Sequence, residues 1–468
     1  MIPSKRTYLL LILGIAIALL LATVFNQQIS LISTLVFDGI VLGIALWDGQ
    51  RVKPNRVKVS RTPLQRLSIG RDNLIVLSVE SRNQVARILI KDYYPLEFAV
   101  STPTITATLD RNSNKELTYT VHPAKRGQFH WGDIHVRQLS PWGLVWDDWK
   151  IPGSQNVAVY PDLVSLRSLS IRLTLENTGT MRRSRNLGAG TEFAELREYG
   201  IGDDTRLIDW KATARRSRPL VRVLEPEKEQ TLIILLDRGR LMTAQVLQLK
   251  RFDWGLNSTL ALALAGLHRG DRVGVGVFDR DITTWIPPER GQHQLSKLIE
   301  RLTPIQPVLL EPDYFGAVTK LVNQQTRRAL VVMITDIVDV TASAELLAAL
   351  ERLTPRYLPF CVTLRDPLVD QLAHTPPNTP QLGKIPSQDQ LWHSRYQAQA
   401  KKRISVDLNP DLGQVAYTRA VALDLIAQRQ VAFARLKQKG VLVLDAPANQ
   451  ISQQLVESYL RVKARNLL

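Results

Sequence analysis

Two apolar runs open the chain, residues 8–25 (YLLLILGIAIALLLATVF) and 29–47 (ISLISTLVFDGIVLGIALW), with only Asn26, Gln27 and Gln28 between them. A helix of roughly 20 apolar residues crosses the hydrocarbon core of a bilayer, so the pattern predicts a hairpin of two membrane helices. Lys5 and Arg6 precede the first run, and Arg51, Lys53, Arg56 and Lys58 follow the second. The bias of basic residues toward the cytoplasmic side then places both ends of the hairpin, and the mass that follows it, in the cytoplasm. A second apolar run directly behind the first, and no small-residue cleavage box before Asn26, argue against a cleaved signal peptide. Asp38 lies inside the second run beside Gly39 and Gly43. An ionisable group is costly there, and the two glycines predict a close helix contact across which it bonds.

The pattern then changes to short alternating runs, 74–79, 87–90, 105–109 and 117–121, parted by Asn, Asp, Gly and Pro. Such spacing predicts a small antiparallel sandwich or barrel over about 57–162. A third pattern begins at Thr231, where continuous apolar stretches take turns with helical ones. Strands are expected at 231–236, 272–278, 329–335, 357–364 and 441–444, and helices up to His268 and over 294–302, 314–323, 343–353, 416–439 and 451–462. Alternation of this kind predicts a doubly wound parallel sheet whose ligand site lies at the carboxyl ends of the strands, where Asp237 and Asp336 fall. The Pro-rich polar stretch 374–389 reads as a surface loop. The expected division is 1–50 membrane hairpin, 51–165 β-rich domain, 166–228 junction, and 229–468 α/β domain.

Composition narrows the partners. Among 468 residues, 60 Lys and Arg face 43 Asp and Glu, a formal net charge of +17. The excess is scattered and builds no arm of the kind that grips nucleic acid, so its expected use is a surface facing anionic lipid, with no nucleic-acid partner. Cys361 is the single cysteine, which rules out a disulfide framework within one chain and fits a reducing compartment. Trp131, Trp142, Trp146 and Trp149 could form a stacking platform for a sugar or other ligand, although packing within a β domain is the commoner use of such residues. His130 and His135 are an odd number apart, so on one strand they would face opposite sides and could not chelate together. Phosphate-loop, zinc-helix and nucleophile-elbow motifs are absent.

Between the two patterned regions, residues 188–222 crowd Glu192, Glu195, Glu198, Asp203, Asp204 and Asp209 against Arg197, Arg206, Lys211, Arg215, Arg216, Arg218 and Arg222. Phe193, Leu196, Tyr199, Ile208 and Trp210 are threaded among them. The mixture predicts charged side chains packed in pairs at a junction. Gly202, Asp203 and Asp204 signal a turn and a helix start, so a short helix is expected over 208–215, with Arg206 stacked on Trp210 one turn away and paired with Asp209. A carboxylate pair such as Glu192 and Asp209 is the alternative chemistry, acid–base hydrolysis, if the separation suits it.

The ordered set Glu192-Phe193, Leu196-Arg197-Glu198-Tyr199, Gly202-Asp203, Arg206, Ile208-Asp209-Trp210, Ala214-Arg215, Val221-Arg222 and Glu227 resembles the signature of the domain-of-unknown-function 58 family. Weaker echoes are 123–127, Gly132 and 142–144. The resemblance implies a domain like the von Willebrand factor type A fold. It also implies work beside a MoxR-class AAA+ ATPase, together with a transglutaminase-like membrane protein, in assembly, maturation or envelope stress. Type A domains commonly hold a divalent cation through Asp-x-Ser-x-Ser, a Thr from another loop and a later Asp, because a hard cation needs converging oxygens. Here the loop is Asp237-Arg238-Gly239-Arg240-Leu241, with both serine positions replaced by Gly239 and Leu241. The loop at Glu311, Pro312 and Asp313 offers no hydroxyl, and only Asp237 and Asp336 keep their places. A guanidinium competes with a cation for carboxylates. The expectation is therefore an Arg–carboxylate cluster at the sheet edge with neither metal nor cofactor, in a membrane-tethered cytoplasmic scaffold or adaptor that is not an enzyme.

Overall fold

The computed structural model describes residues 1–23, 27–64, 66–180, 192–200, 203–225, 230–337, 343–374 and 412–465. Gly202, Glu227 and the expected surface loop beyond His374 lie outside these. The described chain is a mixed α/β protein of two compact units, one formed by Met1–Tyr160 and the other beginning at Pro161.

In the first unit the two apolar runs are helices α1 (Lys5–Ala22) and α2 (Gln27–Gln50). Leu9, Leu13, Leu20, Leu31, Leu35 and Ile40 are each more than half exposed. One stretch, Leu31–Asn55, is long and apolar enough to cross a membrane. The helices lie side by side, but the close contact is made at Gly14, where a Cβ would come within 2.7 Å of Asp38 Oδ1. Gly39 and Gly43, the expected contact positions, would meet nothing within 4 Å. Asp38 Oδ1 is buried there without a hydrogen-bond partner.

Twelve short strands follow the expected alternation among the described residues. They are β1 (Ile2–Pro3), β2 (Lys58–Arg61), β3 (Leu67–Ser68), β4 (Asn73–Glu80), β5 (Ala86–Asp92) and β6 (Phe98–Val100). After these come β7 (Ile105–Leu109), β8 (Asn114–Pro123), β9 (Gly127–Trp131), β10 (Ile134–Leu139), β11 (Val145–Ile151) and β12 (Gln155–Tyr160). The sheets run β1-β11-β10-β5-β7, β2-β4-β8-β6 and β3-β12-β9. Every second residue of β4 and β5 (Ile75, Leu77 and Val79; Ile88 and Ile90) points into the core, which is the period of a strand with one wet face. A buried carboxylate ties three strands together. Asp92 of β5 pairs with Arg61 of β2 and accepts from Tyr119 Oη of β8 at 2.6 Å and Trp131 Nε1 of β9 at 3.3 Å. Burial, then the Asp92 charge, hold the Tyr119 phenol far above its ordinary value, so it stays protonated and donates to Asp92.

The tryptophans accordingly form no shared platform. Trp131 is in the core, Trp142 stacks on Trp47 at 5.2 Å between ring centroids, and Trp149 lies under the Arg56 guanidinium at 4.8 Å. His130 and His135 fall on different strands, β9 and β10, so their parity along a single strand does not apply. The base of the apolar helices is fixed at the turn between β10 and β11. Ser4 N donates to Leu144 O at 2.8 Å, Ser4 Oγ to Gly143 O at 2.6 Å, and Trp142 N to Asp48 Oδ1 at 3.3 Å.

The second unit opens with α3 (Leu163–Thr180) and a hairpin of β13 (Glu192–Glu198) and β14 (Leu220–Glu225), with α4 (Trp210–Arg216) in the connection. Then come β15 (Thr231–Asp237), β16 (Gln245–Val246), β17 (Leu249–Lys250), α5 (Arg251–His268), β18 (Arg272–Phe278), β19 (Ile282–Glu289), α6 (Gln292–Leu302) and α7 (Tyr314–Gln324). The series ends with β20 (Leu330–Thr335), α8 (Ala344–Leu353), β21 (Leu358–Arg365), α9 (Pro367–His374), α10 (Leu412–Gln438), β22 (Leu442–Pro447) and α11 (Ile451–Ala464). The main sheet is β19-β18-β15-β20-β21-β22, parallel except for the antiparallel edge strand β19. That edge strand corrects the wholly parallel expectation. Leu232, Ile234 and Leu236 of β15 enter a core with α5, α6 and α11, while Ile233 and Leu235 enter a second core with α7, α8 and α10. With both faces covered, every position from Leu232 to Leu236 must be apolar, which is why the run is continuous rather than alternating.

Candidate functional site

The carboxyl ends of the parallel strands bring together residues that are far apart in sequence. Asp237, at the end of β15, is fully buried. Its Oδ1 accepts from Gly239 N at 2.7 Å, and its Oδ2 from Thr335 Oγ1 at 2.7 Å and Tyr314 Oη at 3.2 Å. Burial pushes its pKa up to about 6, with the Asp336 charge adding and the three donors opposing. Asp336, next to β20, is held from both sides, Oδ2 by Arg251 Nη1 at 2.8 Å and Oδ1 by Arg429 Nη1 at 2.7 Å. Arg429 of α10 reaches on to Asp445 of β22 at 2.8 Å, and Asp445 to Arg365 of β21 at 2.9 Å. Arg365 closes the series on Asp370 of α9 at 2.9 Å. Burial opposes the Arg429 charge, yet the Asp336 and Asp445 carboxylates more than compensate and raise its pKa. Cys361, buried beside this series, has its thiol pushed up to about 12 by burial, so it stays protonated and unreactive.

An Arg–carboxylate cluster thus stands at the sheet edge, built by arginines other than those that flank Asp237. Arg238 turns to Asp279 at 2.6 Å and Arg240 to Glu311. Burial would raise Asp279, but the Arg238 hydrogen bond, the backbone N–H groups of Asp281 and Arg280 and the Arg238 charge together outweigh it and hold the carboxyl low. The sequence reading missed Arg251, Arg429, Asp445, Tyr314 and Thr335. A faint signal was available for Thr335 and Asp445, polar residues closing apolar strands. None marked the arginines, which sit within helices α5 and α10.

The donor set does not fit a divalent cation. Both oxygens of Asp336 are taken by guanidinium groups, and both of Asp237 by N–H and O–H donors. A hard cation needs free oxygens. Gly239 is also more than a missing serine, because a Cβ there would lie 2.8 Å from Leu310 O and 2.9 Å from Pro312 Cδ. Leu241 supplies no oxygen from its side chain. Among the described residues, no group of three or more His, Cys, Asp or Glu side chains is placed to hold a metal ion.

The acidic and basic motif forms the β13–β14 hairpin and its connection. Arg197 pairs with Asp203, whose Oδ2 also accepts from Gly200 N at 2.8 Å. Asp204 caps the 3₁₀ turn at Thr205–Leu207. Asp209 caps α4, accepting from Lys211 N and Ala212 N at 3.0 Å each, and pairs with Arg222 Nε at 3.0 Å. The Ala212 N–H first, then Arg222, hold the Asp209 carboxyl below its usual range against the opposing effect of burial. The expected helix therefore starts at Trp210, and Asp209 is its cap and pairs with Arg222, not Arg206. Arg206 belongs to the preceding turn, and Trp210 is 70% exposed rather than covered. Leu196 and Tyr199 are half-buried, and Arg206 and Arg215 are exposed. The ion pairs of the described motif residues are internal to the hairpin.

Glu192 and Phe193 are placed as backbone at the open end of the hairpin, Glu192 opposite Glu225. Asp209 sits at the other end, its N–H bonded to Leu220 O. Five residues of strand, roughly 17 Å, separate the two levels, well beyond the about 5–9.5 Å at which paired carboxylates hydrolyse glycosides. The structure does not bring that pair together.

With this geometry in view, the comparisons with known proteins place the chain. Residues 195–404 match the model of the family described as protein of unknown function DUF58. It is 28% identical to the uncharacterized protein Rv1480 of Mycobacterium tuberculosis (strain ATCC 25618 / H37Rv), over 32% of this chain and 48% of the relative. It is 26% identical to the uncharacterized protein YeaD of Bacillus subtilis (strain 168), over 26% of this chain and 31% of the relative. The chain thus spans less than half the length of the curated relatives it matches. Among solved structures, the conserved hypothetical protein BatB from Bacteroides thetaiotaomicron aligns over 50% of this chain and 99% of its own, at 16% identity and a TM-score of 0.27. The PapD-like domain 7 of human CEP192 aligns over 22% and 85%, at 11% identity and a TM-score of 0.19.

Proposed function

We propose that the protein is a membrane-tethered scaffold or adaptor rather than an enzyme. In this reading α1 and α2 form a two-span anchor, and the bulk of the chain lies in the cytoplasm. The second unit is a von Willebrand type A-like domain whose cation site is closed by guanidinium groups. The docking partner is a MoxR-class AAA+ ATPase, with a transglutaminase-like membrane protein in the same assembly.

The observation that supports this reading is the state of the hairpin. Asp203, Glu198 and Asp209 neutralise arginines of the hairpin itself and Asp204 caps its turn, while Trp210 is left 70% exposed, with Arg206, Arg215 and Arg216 exposed as well. An exposed Trp among arginines has the composition of an interface hot spot. A photo-crosslinking residue in place of Trp210, used in native membranes, tests it. Capture of an AAA+ ATPase that excess unlabelled parent protein abolishes, and excess Trp210→Ala protein does not, is the expected result. Repeated capture of lipid alone, or of no ATPase, counts against docking through this arm.

A further inference from the structure

The wet face of the five-stranded sheet carries a feature that the docking reading leaves unused. A cavity of about 240 Å³ opens there, lined by Leu89, Lys91, Tyr93, Thr104, His135, Arg137 and Asp148. The strand register explains its charge. His135 of β10 lies directly opposite Lys91 of β5 on one side and Lys150 of β11 on the other. Three basic residues therefore occupy one cross-strand row on three adjacent strands, with Arg137 in the next row. Like charges set opposite one another in a sheet are destabilising, so a row of this kind needs a compensating anion or a function. Two carboxylates answer it, and both are already engaged: Asp148 with Arg137 Nε at 3.2 Å, and Asp133, whose Oδ1 accepts from Gly153 N at 3.1 Å. Lys91, Lys150 and Arg137 less Asp148 and Asp133 leave a charge of +1 when His135 is neutral and +2 when it is protonated. The His135 ring is stacked on Tyr93 at 4.4 Å, and Lys91 Nζ lies 5.0 Å from the Tyr93 ring centre, so the row is held in place by an aromatic floor.

We propose that this cavity binds a phosphate-bearing anion, gripped by Lys91 and Arg137 with the Thr104 hydroxyl and the His135 ring as further donors. A dianion matches the +2 reached when His135 takes a proton, and charge-assisted hydrogen bonds from Lys and Arg are the strong kind. The state of His135 fits a site waiting for such a ligand. Burial, then Lys150, lower its pKa, with Lys91 adding and Asp148 and Asp133 opposing. A bound anion reverses that balance and draws a proton onto the ring. Two sources supply the same chemistry, a free phosphate or phosphoester and a lipid headgroup. The headgroup source rests on the anchor reading above. His135 lies five residues along β10 from Ser140, the turn that fixes the apolar helices, a distance of about 17 Å.

The test uses the full chain in neutral-detergent micelles, with inorganic phosphate as the probe and sodium chloride at matched ionic strength as the reference. Diethyl pyrocarbonate labels neutral histidines, and peptide mass spectrometry reads His135 against His293 of the same sample. Phosphate should slow labelling of His135 and not of His293. Lys91→Gln or Arg137→Gln should raise the phosphate needed at least about tenfold, the loss of one charge-assisted bond. Arg87→Gln, on the same face but outside the cavity lining, should leave protection intact. Absent protection, protection that chloride reproduces, or equal loss in Arg87→Gln overturns the site. A thermal melt accompanies each variant, and if one unfolds early Thr104→Val replaces it, with weakened protection expected and unchanged protection counting against the site.

Nanodiscs then separate the sources. His135 already slow in phosphatidylglycerol discs without added phosphate supports the site with a headgroup as ligand. Identical phosphate titrations in phosphatidylcholine and phosphatidylglycerol discs support it with a soluble one. Carbonate extraction of native membranes reads the anchor separately, so failure of either idea leaves the other measurable.

Discussion

The hairpin of the second unit and the edge of its main sheet are both made of arginines and carboxylates, yet they differ in almost every physical respect. The hairpin is contiguous in sequence and its charges meet water, with Arg218 and Glu198 side chains 72% and 64% exposed. The sheet edge gathers Arg251, Arg429, Asp445, Arg365 and Asp370 from five elements and Asp336 from the residue after β20, and Asp336 is only 4% exposed. Coulomb attraction is strong where water is excluded, but so is the cost of leaving one partner alone. The arrangement that is conspicuous in the sequence is thus the one of least energetic weight. The inconspicuous one locks α5, α9 and α10 to the strands.

The largest expected break in that contrast is Arg429→Met, which strips Asp336 and Asp445 of a shared partner in a buried setting. A loss of about 3–5 kcal/mol is expected in urea unfolding of the second unit. Adding Asp336→Asn and Asp445→Asn should restore much of it, and a single variant that melts like the parent would remove the lock from the account.

Next in size is the pH dependence of Asp237. Its folded pKa of about 6 lies above the ordinary carboxylate value of 3.8, so the folded state binds the proton more tightly. The stability it contributes is fully present below about pH 4 and is lost as pH rises through 6, at most about 3 kcal/mol by pH 8. Asp237→Asn should remove this slope from the difference in melting temperature between pH 4 and pH 8, and parallel curves for the two proteins would contradict a raised pKa.

Gly239→Ser probes the closed cation site. Its Cβ meets Leu310 O at 2.8 Å, so a loss of about 1–3 kcal/mol is expected, with no recovery on adding Mg²⁺. Stabilisation by Mg²⁺ in Gly239→Ser with Leu241→Ser would show that an ion can still be seated. Smallest are the hairpin changes. Asp209→Ala should speed amide exchange across 210–216 without moving the main transition, and Arg218→Gln should change neither.

Much of the architecture was legible. Apolar run length marked α1 and α2, period two marked β4 and β5, and the continuous apolar run of β15 announced a strand covered on both faces. The signature from Glu192 to Arg222 was legible as a family mark because its residues are adjacent in the chain. Its internal wiring was less so. Asp209 was read as a helix residue facing Arg206, whereas one position at the helix start turns it into a cap. The glycine contact between α1 and α2 was assigned to Gly39 and Gly43, although Gly14 makes it, since small residues permit a close approach without saying which face is approached.

What the sequence determined by itself was the kind and approximate extent of the strongly patterned elements, because helical and strand periods are local and are read within a dozen residues; α3, the β13–β14 hairpin, β19 and α9 were not among them. Only the tertiary structure decided which charges meet. Arg429 finds Asp336 across 93 residues because β20, β21 and β22 lie side by side and α10 crosses their ends. Strand order and register are set by the burial of whole faces, and that sum over the chain is visible at no single position in it.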